Sequence, residues 1–177
     1  HWKSLSEVGS VKFYETNSDI LQGCLQDCWM LGALGMVSSK GMFQEFLLHS
    51  DQVDTQTASK VSKGIYPPVF HTLSSKGLYV FKFFKNSACR WVIVDDRVPL
   101  WTRGKQHEFV FACCRKKNLA CVPLIEKAYA KLLRYYVALS SGLTEDALSD
   151  FTGGIYQKVQ VTPDCWKTLT DYCNKNL

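Results

Sequence analysis

A glutamine, a short turn and a cysteine at a helix start form the part of this sequence best suited to chemistry. They stand in Gln22-Gly23-Cys24-Leu25-Gln26-Asp27-Cys28-Trp29, where a Gly-bearing turn runs straight into an apolar stretch. The first turn of a helix presents unpaired N–H groups and a positive dipole end, which favour thiolate over thiol and make a sulfur nucleophilic near neutral pH. The amide of Gln22, just upstream, can donate a hydrogen bond to a developing oxyanion, as such donors do in acyl transfer. Cys28 as nucleophile and Gln22 as oxyanion donor make one half of a cysteine-protease site. The other half is a general acid that protonates the leaving amine, in practice a histidine oriented by Asn or Asp. His1 is terminal, and His49, His71 and His107 fall in or beside polar stretches with no Asn in a supporting position, so each reads as a surface histidine.

The elements that must position these residues follow from periodicity. Trp29, Met30, Ala33, Leu34 and Val37 recur at helical spacing until Ser38-Ser39-Lys40-Gly41 ends the run, which places Cys28 at the start of that helix. Residues 1–18 read as a polar lead-in, residues 42–48 as a short helix, and residues 50–64 as a loop and the expected seat of mobility. Tyr79, Phe81 and Phe83 alternate with Leu78 and Val80, and residues 91–94 form a β-branched run; with Asn86-Ser87 between them the two predict an antiparallel hairpin. Asp95-Asp96-Arg97-Val98-Pro99 is expected to end the second strand, because proline cannot donate to a ladder. Residues 123–139 predict one long helix, with Pro123 at its first position, a stripe of Ile125, Ala128, Leu132, Tyr136 and Leu139, and Gly142 beyond its end. Gly153-Gly154 marks a boundary. A short strand over residues 155–161 is expected to follow, then a helix opened by Thr162-Pro163-Asp164 with Trp166, Leu169 and Cys173 on one side.

Composition excludes several classes. With 177 residues, 46% of them hydrophobic, the chain can bury the core of one ordinary domain and the beginning of a second. Its longest apolar stretch is about half of what a bilayer crossing needs, so no membrane span is expected. The net charge of +5 has only one tight basic run, Arg115-Lys116-Lys117, without interleaved aromatics, which argues against nucleic acid. The chain is too large and apolar to need its eight cysteines as disulfides, and reduced thiols point to the cytoplasm. Cys113, Cys114 and Cys121 with His107 nearby are the only metal-like cluster; lacking a C-x-x-C pair, they do not predict zinc. Cys89, Cys113, Cys121, Cys165 and Cys173 read as small buried hydrophobes.

The residues resemble those of the calpains, papain-like cytosolic cysteine proteases. Trp2-Lys3, Asp19-Ile20, Gln22-Gly23, Asp27-Cys28-Trp29, Asp95-Asp96-Arg97-Val98-Pro99, Glu126-Lys127-Ala128-Tyr129-Ala130-Lys131 and Asp150-Phe151-Thr152-Gly153-Gly154 match the calpain protease-core pattern in order, over nearly the whole chain. Each match alone is weak, and their common register carries the resemblance. It implies an α/β (α+β) papain-like fold, a helical Cys-bearing subdomain with a small antiparallel sheet. Residues 1–154 would be the first catalytic subdomain and residues 155–177 the start of the second, which in calpains carries the His and Asn. It further implies a calcium-dependent endopeptidase acting on protein substrates, and no turnover by this half alone.

By the same resemblance Cys28 is the nucleophile, Gln22 the oxyanion donor, and Gly142 a backbone partner of extended substrate. Asp19 matches one carboxylate of a calcium site built from two carboxylates and two carbonyls, while the second carboxylate falls on or beside Leu119, which cannot ligate. Calpains carry Gly where this chain has Gln26, and a side chain there is expected to strain the turn or crowd the cleft. The glycine before Gly142 is replaced by Ser141. These departures leave an alternative, a calpain-homology module that binds or scaffolds without cleaving.

Overall fold

A computed structural model describes residues 1–8, 12–14, 19–39, 68–103, 106–116, 118–162 and 165–175. The predicted helix over 42–48, the loop over 50–64, His49, and the Pro163-Asp164 helix start lie outside the described residues. The elements in chain order are β1 (Trp2–Ser4), α1 (Leu5–Val8), β2 (Ile20–Leu21), α2 (Cys28–Ser39), a 3-10 segment (Pro68–Lys76), β3 (Leu78–Lys85), β4 (Ala88–Asp95), β5 (Arg97–Arg103), β6 (Gln106–Phe109), β7 (Cys113–Cys114), α3 (Cys121–Leu132), a second 3-10 segment (Tyr136–Ser140), α4 (Thr144–Thr152) and α5 (Cys165–Lys175). The strands form three small antiparallel sheets, β1-β5-β6, β2-β7 and β3-β4. A mixed fold of helices and small antiparallel sheets is therefore what the chain adopts.

The hairpin forms as its sequence predicts. β3 and β4 pair from Leu78↔Asp95 to Lys85↔Ala88. Asn86 (φ 52°) and Ser87 (φ 60°) both take the left-handed conformation that a two-residue type I′ turn requires. Val92 and Val94 face the core while Trp91 and Ile93 face out. Tyr79, Phe81 and Phe83 are buried on the inner face.

The aromatic core is continuous from the sheet to the helices. Phe83 lies 5.5 Å from the Tyr129 ring and 6.0 Å from Phe151, and Tyr129 meets Phe151 edge-on at 5.2 Å. Burying each such ring contributes about 2 kcal/mol. Asp150 makes a polar tie in this core: its carboxylate accepts the Tyr129 hydroxyl at 2.8 Å and the Lys85 ammonium at 2.6 Å. Burial, and then the Asp150 carboxylate beside it, push the Tyr129 phenol well above its ordinary value, so it keeps the proton that it donates to Asp150.

Three expectations are corrected. The lead-in is not featureless, because Trp2 pairs with Pro99 in β1-β5 and Leu5 enters the core. The second hairpin strand, β4, does end at Asp95, but proline is not the cause, because Pro99 sits inside β5. It needs no donor there, and its carbonyl accepts the Val110 N–H at 3.2 Å. The long helix is broken: α3 stops at Leu132, Arg134 takes φ 86°, and Tyr135 is extended before the chain winds into 3-10 turns. A left-handed arginine costs about 1 kcal/mol. The break re-aims Tyr136 onto Phe111, stacked at 4.2 Å, and buries Leu139 with its carbonyl free for a side-chain donor.

Beyond Gly153 residues 155–161 do not form the predicted strand, and Ile155, Val161, Trp166, Leu169 and Tyr172 are exposed. Replacing Asp150 by Ala strands the buried Tyr129 hydroxyl and the Lys85 ammonium, and is expected to cost about 2–4 kcal/mol in urea unfolding. Asp150→Asn, which keeps an acceptor, should cost less; equal losses from the two variants would count against the tie.

Candidate active site

The segment that carries Gln22 is laced antiparallel to residues 110–115. The Asp19 carbonyl accepts the Arg115 N–H at 2.9 Å, Ile20 and Leu21 pair with Cys114 and Cys113, and the Cys24 N–H donates to the Val110 carbonyl at 3.0 Å. Between those bonds Gly23 lies flat on the Phe111 backbone. A Cβ at Gly23 would stand 2.2 Å from the Phe111 carbonyl carbon, so no other residue allows this approach. Gln22 is exposed, and its Nε2 donates to the Leu25 carbonyl at 2.5 Å across the turn. Gln26 is exposed and is not among the residues with positive φ, so this turn accommodates a side chain in place of glycine without backbone strain.

Asp27 closes the turn and opens α2. Its backbone carbonyl accepts the N–H groups of Met30 at 2.9 Å and Leu31 at 3.0 Å, which leaves Cys28 as the first helical residue, exposed, with an N–H that has no intrahelical partner. The Asp27 side chain does not cap the helix. It is fully buried (0% exposed) and faces Glu126 of α3, which is 1% exposed. Burial, and then the neighbouring Asp27, raise the Glu126 carboxyl to about 9, and burial also raises Asp27.

Trp29 fixes the far side of the site. Its Nε1 donates to the Leu139 carbonyl at 2.8 Å, and its ring lies 6.0 Å from Tyr129. The ring also covers Gly142: a Cβ there would stand 2.4 Å from it, so the exposed backbone of residues 141–143 runs over the indole. That backbone is extended, with Ser141 at φ −151°, ψ 143° and Leu143 at φ −114°, ψ 138°. Along the chain Cys28 thus stands between the laced turn that carries Gln22 and Trp29, whose ring lies against Gly142.

The described contacts of His107 lie on other residues. The His107 ring, on β6, lies 3.4 Å from Lys3 Nζ and 3.3 Å from Thr102 Oγ1, and of His71 only the backbone is described. Cys114 and Cys121 are buried with their sulfurs 3.6 Å apart, and Cys114, then burial, pushes the Cys121 thiol well up. Cys113 and Cys165 are partly buried, whereas Cys89 and Cys173 are exposed, contrary to the expectation of buried hydrophobes. Among the described residues no cluster of three or more His, Cys, Asp or Glu side chains is placed to hold a metal ion, and no helix is long and apolar enough to cross a membrane.

The residues present do not fit a two-carboxylate calcium site at Asp19. Its carboxylate receives the Arg115 guanidinium at 2.7 Å, so a cationic side chain already holds that oxygen. Leu119 is fully buried and supplies no side-chain oxygen.

Sequence reasoning singled out Cys28, Gln22 and Gly142 but gave no part in the site to Phe111, Leu139 or Glu126. Phe111 and Leu139 act through backbone atoms, which no motif reveals. Glu126 had a visible signal, an acid in the midst of residues 121–130, which are otherwise buried save for Lys127.

The family model described as "Calpain family cysteine protease" matches residues 1–177. Calpain-14 of Homo sapiens is 34% identical over 166 residues, covering 90% of this chain and 21% of that protein. Calpain-2 catalytic subunit of Gallus gallus is 33% identical over 157 residues, 87% of this chain and 19% of that protein. Calpain-type cysteine protease DEK1 of Zea mays is 34% identical over 145 residues, 82% of this chain and 6% of that protein. The matched stretch is therefore about a fifth or less of each relative's length. With the family model spanning every residue, the chain belongs to the calpain family of cysteine proteases.

Proposed function

We propose that this chain is the nucleophile-bearing half of a cysteine endopeptidase that cleaves protein substrates. The observation that carries the reading is the placement of Cys28 as the exposed first residue of α2, with Gln22 on the adjoining turn and the extended Ser141-Gly142-Leu143 backbone across Trp29. The Cys28 thiolate attacks a peptide carbonyl, and the oxyanion is held by the Cys28 N–H and by Gln22, whose amide exchanges the Leu25 carbonyl for substrate. A substrate strand lies along residues 141–143, where main-chain hydrogen bonds give register without demanding one sequence.

Residues 1–154 form the first catalytic subdomain in this reading, and residues 155–177 begin a second that supplies the histidine and its Asn. The exposed apolar side chains of Ile155, Val161, Trp166, Leu169 and Tyr172 support it, because a docking partner would cover them. The chain alone, with His107 engaged elsewhere, is then inactive.

In the full-length protein, a peptidyl epoxide directed at papain-like proteases is expected to alkylate Cys28, identified by peptide mass spectrometry, and Cys28→Ala should abolish labelling. Absence of labelling with and without calcium would favour a scaffold that does not cleave. Because Arg115 already holds its carboxylate, Asp19→Asn is expected to leave the labelling rate within about twofold whether or not calcium is added, as for other exposed ion pairs. A calcium response lost in Asp19→Asn would restore Asp19 as a ligand.

A further inference from the structure

Asp27 and Glu126 form a fully buried acid pair immediately behind the nucleophile. Of their four carboxyl oxygens, only Glu126 Oε2 meets a donor from elsewhere, the Ala112 N–H at 3.0 Å; Asp27 Oδ1, Asp27 Oδ2 and Glu126 Oε1 meet none among the described residues. Two ionised carboxylates so placed would bring acceptors and charge together with no donor between them, which a buried site does not tolerate. One proton resolves the arrangement by turning one acid into the donor for the other. The bonds at the two ends of the pair reach the two walls of the site. Ala112 follows Phe111, on whose backbone Gly23 rests, and Asp27 precedes Cys28.

We propose that Glu126 is a positioning residue for catalysis: in its protonated form it donates to the Asp27 carboxylate while accepting the Ala112 N–H, and so clamps the oxyanion turn and the start of the Cys28 helix to α3. The proposal rests on the protease reading above. Burial keeps the proton on Glu126 up to about 9. The titratable groups that face the pair are Asp27 itself from the start of α2 and the Tyr136 phenol from the 3-10 segment, which burial, and then Glu126, pushes far up and keeps neutral. Among the described residues no cation contributes to the shift of either acid. Once the second proton leaves, two like charges share a dry site and the clamp opens.

The test is the rate of Cys28 alkylation by the epoxide in the full-length protein from about pH 6 to about pH 10, read beside unfolding temperature. Wild type should lose at least about tenfold in rate as pH rises through about 9. Glu126→Gln, whose amide can still donate to Asp27 and accept from Ala112, should stay within about threefold at neutral pH and lack the alkaline loss. Glu126→Leu should be slower by about tenfold or more throughout, since it leaves the Asp27 charge buried and alone. A Gln variant that keeps the alkaline loss, or a Leu variant as fast as wild type, overturns the proposal.

If the Leu variant does not fold, infrared spectroscopy of the wild type decides. A protonated-carboxyl band at neutral pH, lost near 9 and missing in Glu126→Gln, is expected, and its absence overturns the clamp. A Cys28 that never reacts in wild type sinks the protease reading and the positioning role with it, whereas the infrared band reports on the acid pair alone.

Discussion

The Trp29 indole joins the reactive end of α2 to everything that holds it in place. Its N–H reaches the Leu139 carbonyl, its face fills the space that Gly142 leaves by lacking a side chain, and its ring contacts Tyr129. Tyr129 in turn packs on Phe83 and Phe151 and bonds Asp150, so the position of Cys28 is set by the same aromatic core that closes the fold. An exposed thiol at a helix tip would otherwise share the fraying of that tip. Here the next residue is anchored in the best-packed region of the chain, and the residue before it is buried against α3.

The break after Leu132 belongs to the same constraint. A continuous helix over residues 123–139 would commit the Leu139 carbonyl to its own ladder and carry the 141–143 backbone off the indole. The left-handed Arg134 stops the helix, and the 3-10 turns deliver Tyr136 to Phe111 and Leu139 to Trp29. Local strain at one exposed arginine is offset by two contacts at the site.

What was legible in the sequence followed the strength of the local signal. The hairpin was readable because alternation and a turn dipeptide agree, and α2 because its apolar residues recur at helical spacing. β1, β5 and β6 were not, since strands this short acquire their identity from partners far along the chain, as when Trp2 pairs with Pro99. The role of Asp27 was not legible either, because its backbone opens α2 while its side chain turns inward to Glu126, a partner about a hundred residues along the chain. Gln26 and Asp19 show the opposite case, in which the family register raised an expectation that local geometry answers: the turn accepts a side chain at Gln26, and Arg115 occupies the carboxylate of Asp19.

The most direct measurement is a crystal structure of the full-length protein alkylated by a peptidyl epoxide. The account predicts a covalent bond to the Cys28 sulfur, the inhibitor's oxygen on Gln22 Nε2 in place of the Leu25 carbonyl, and the peptide extended along residues 141–143 over Trp29. Attachment at another cysteine, or a peptide running away from Gly142, would contradict it.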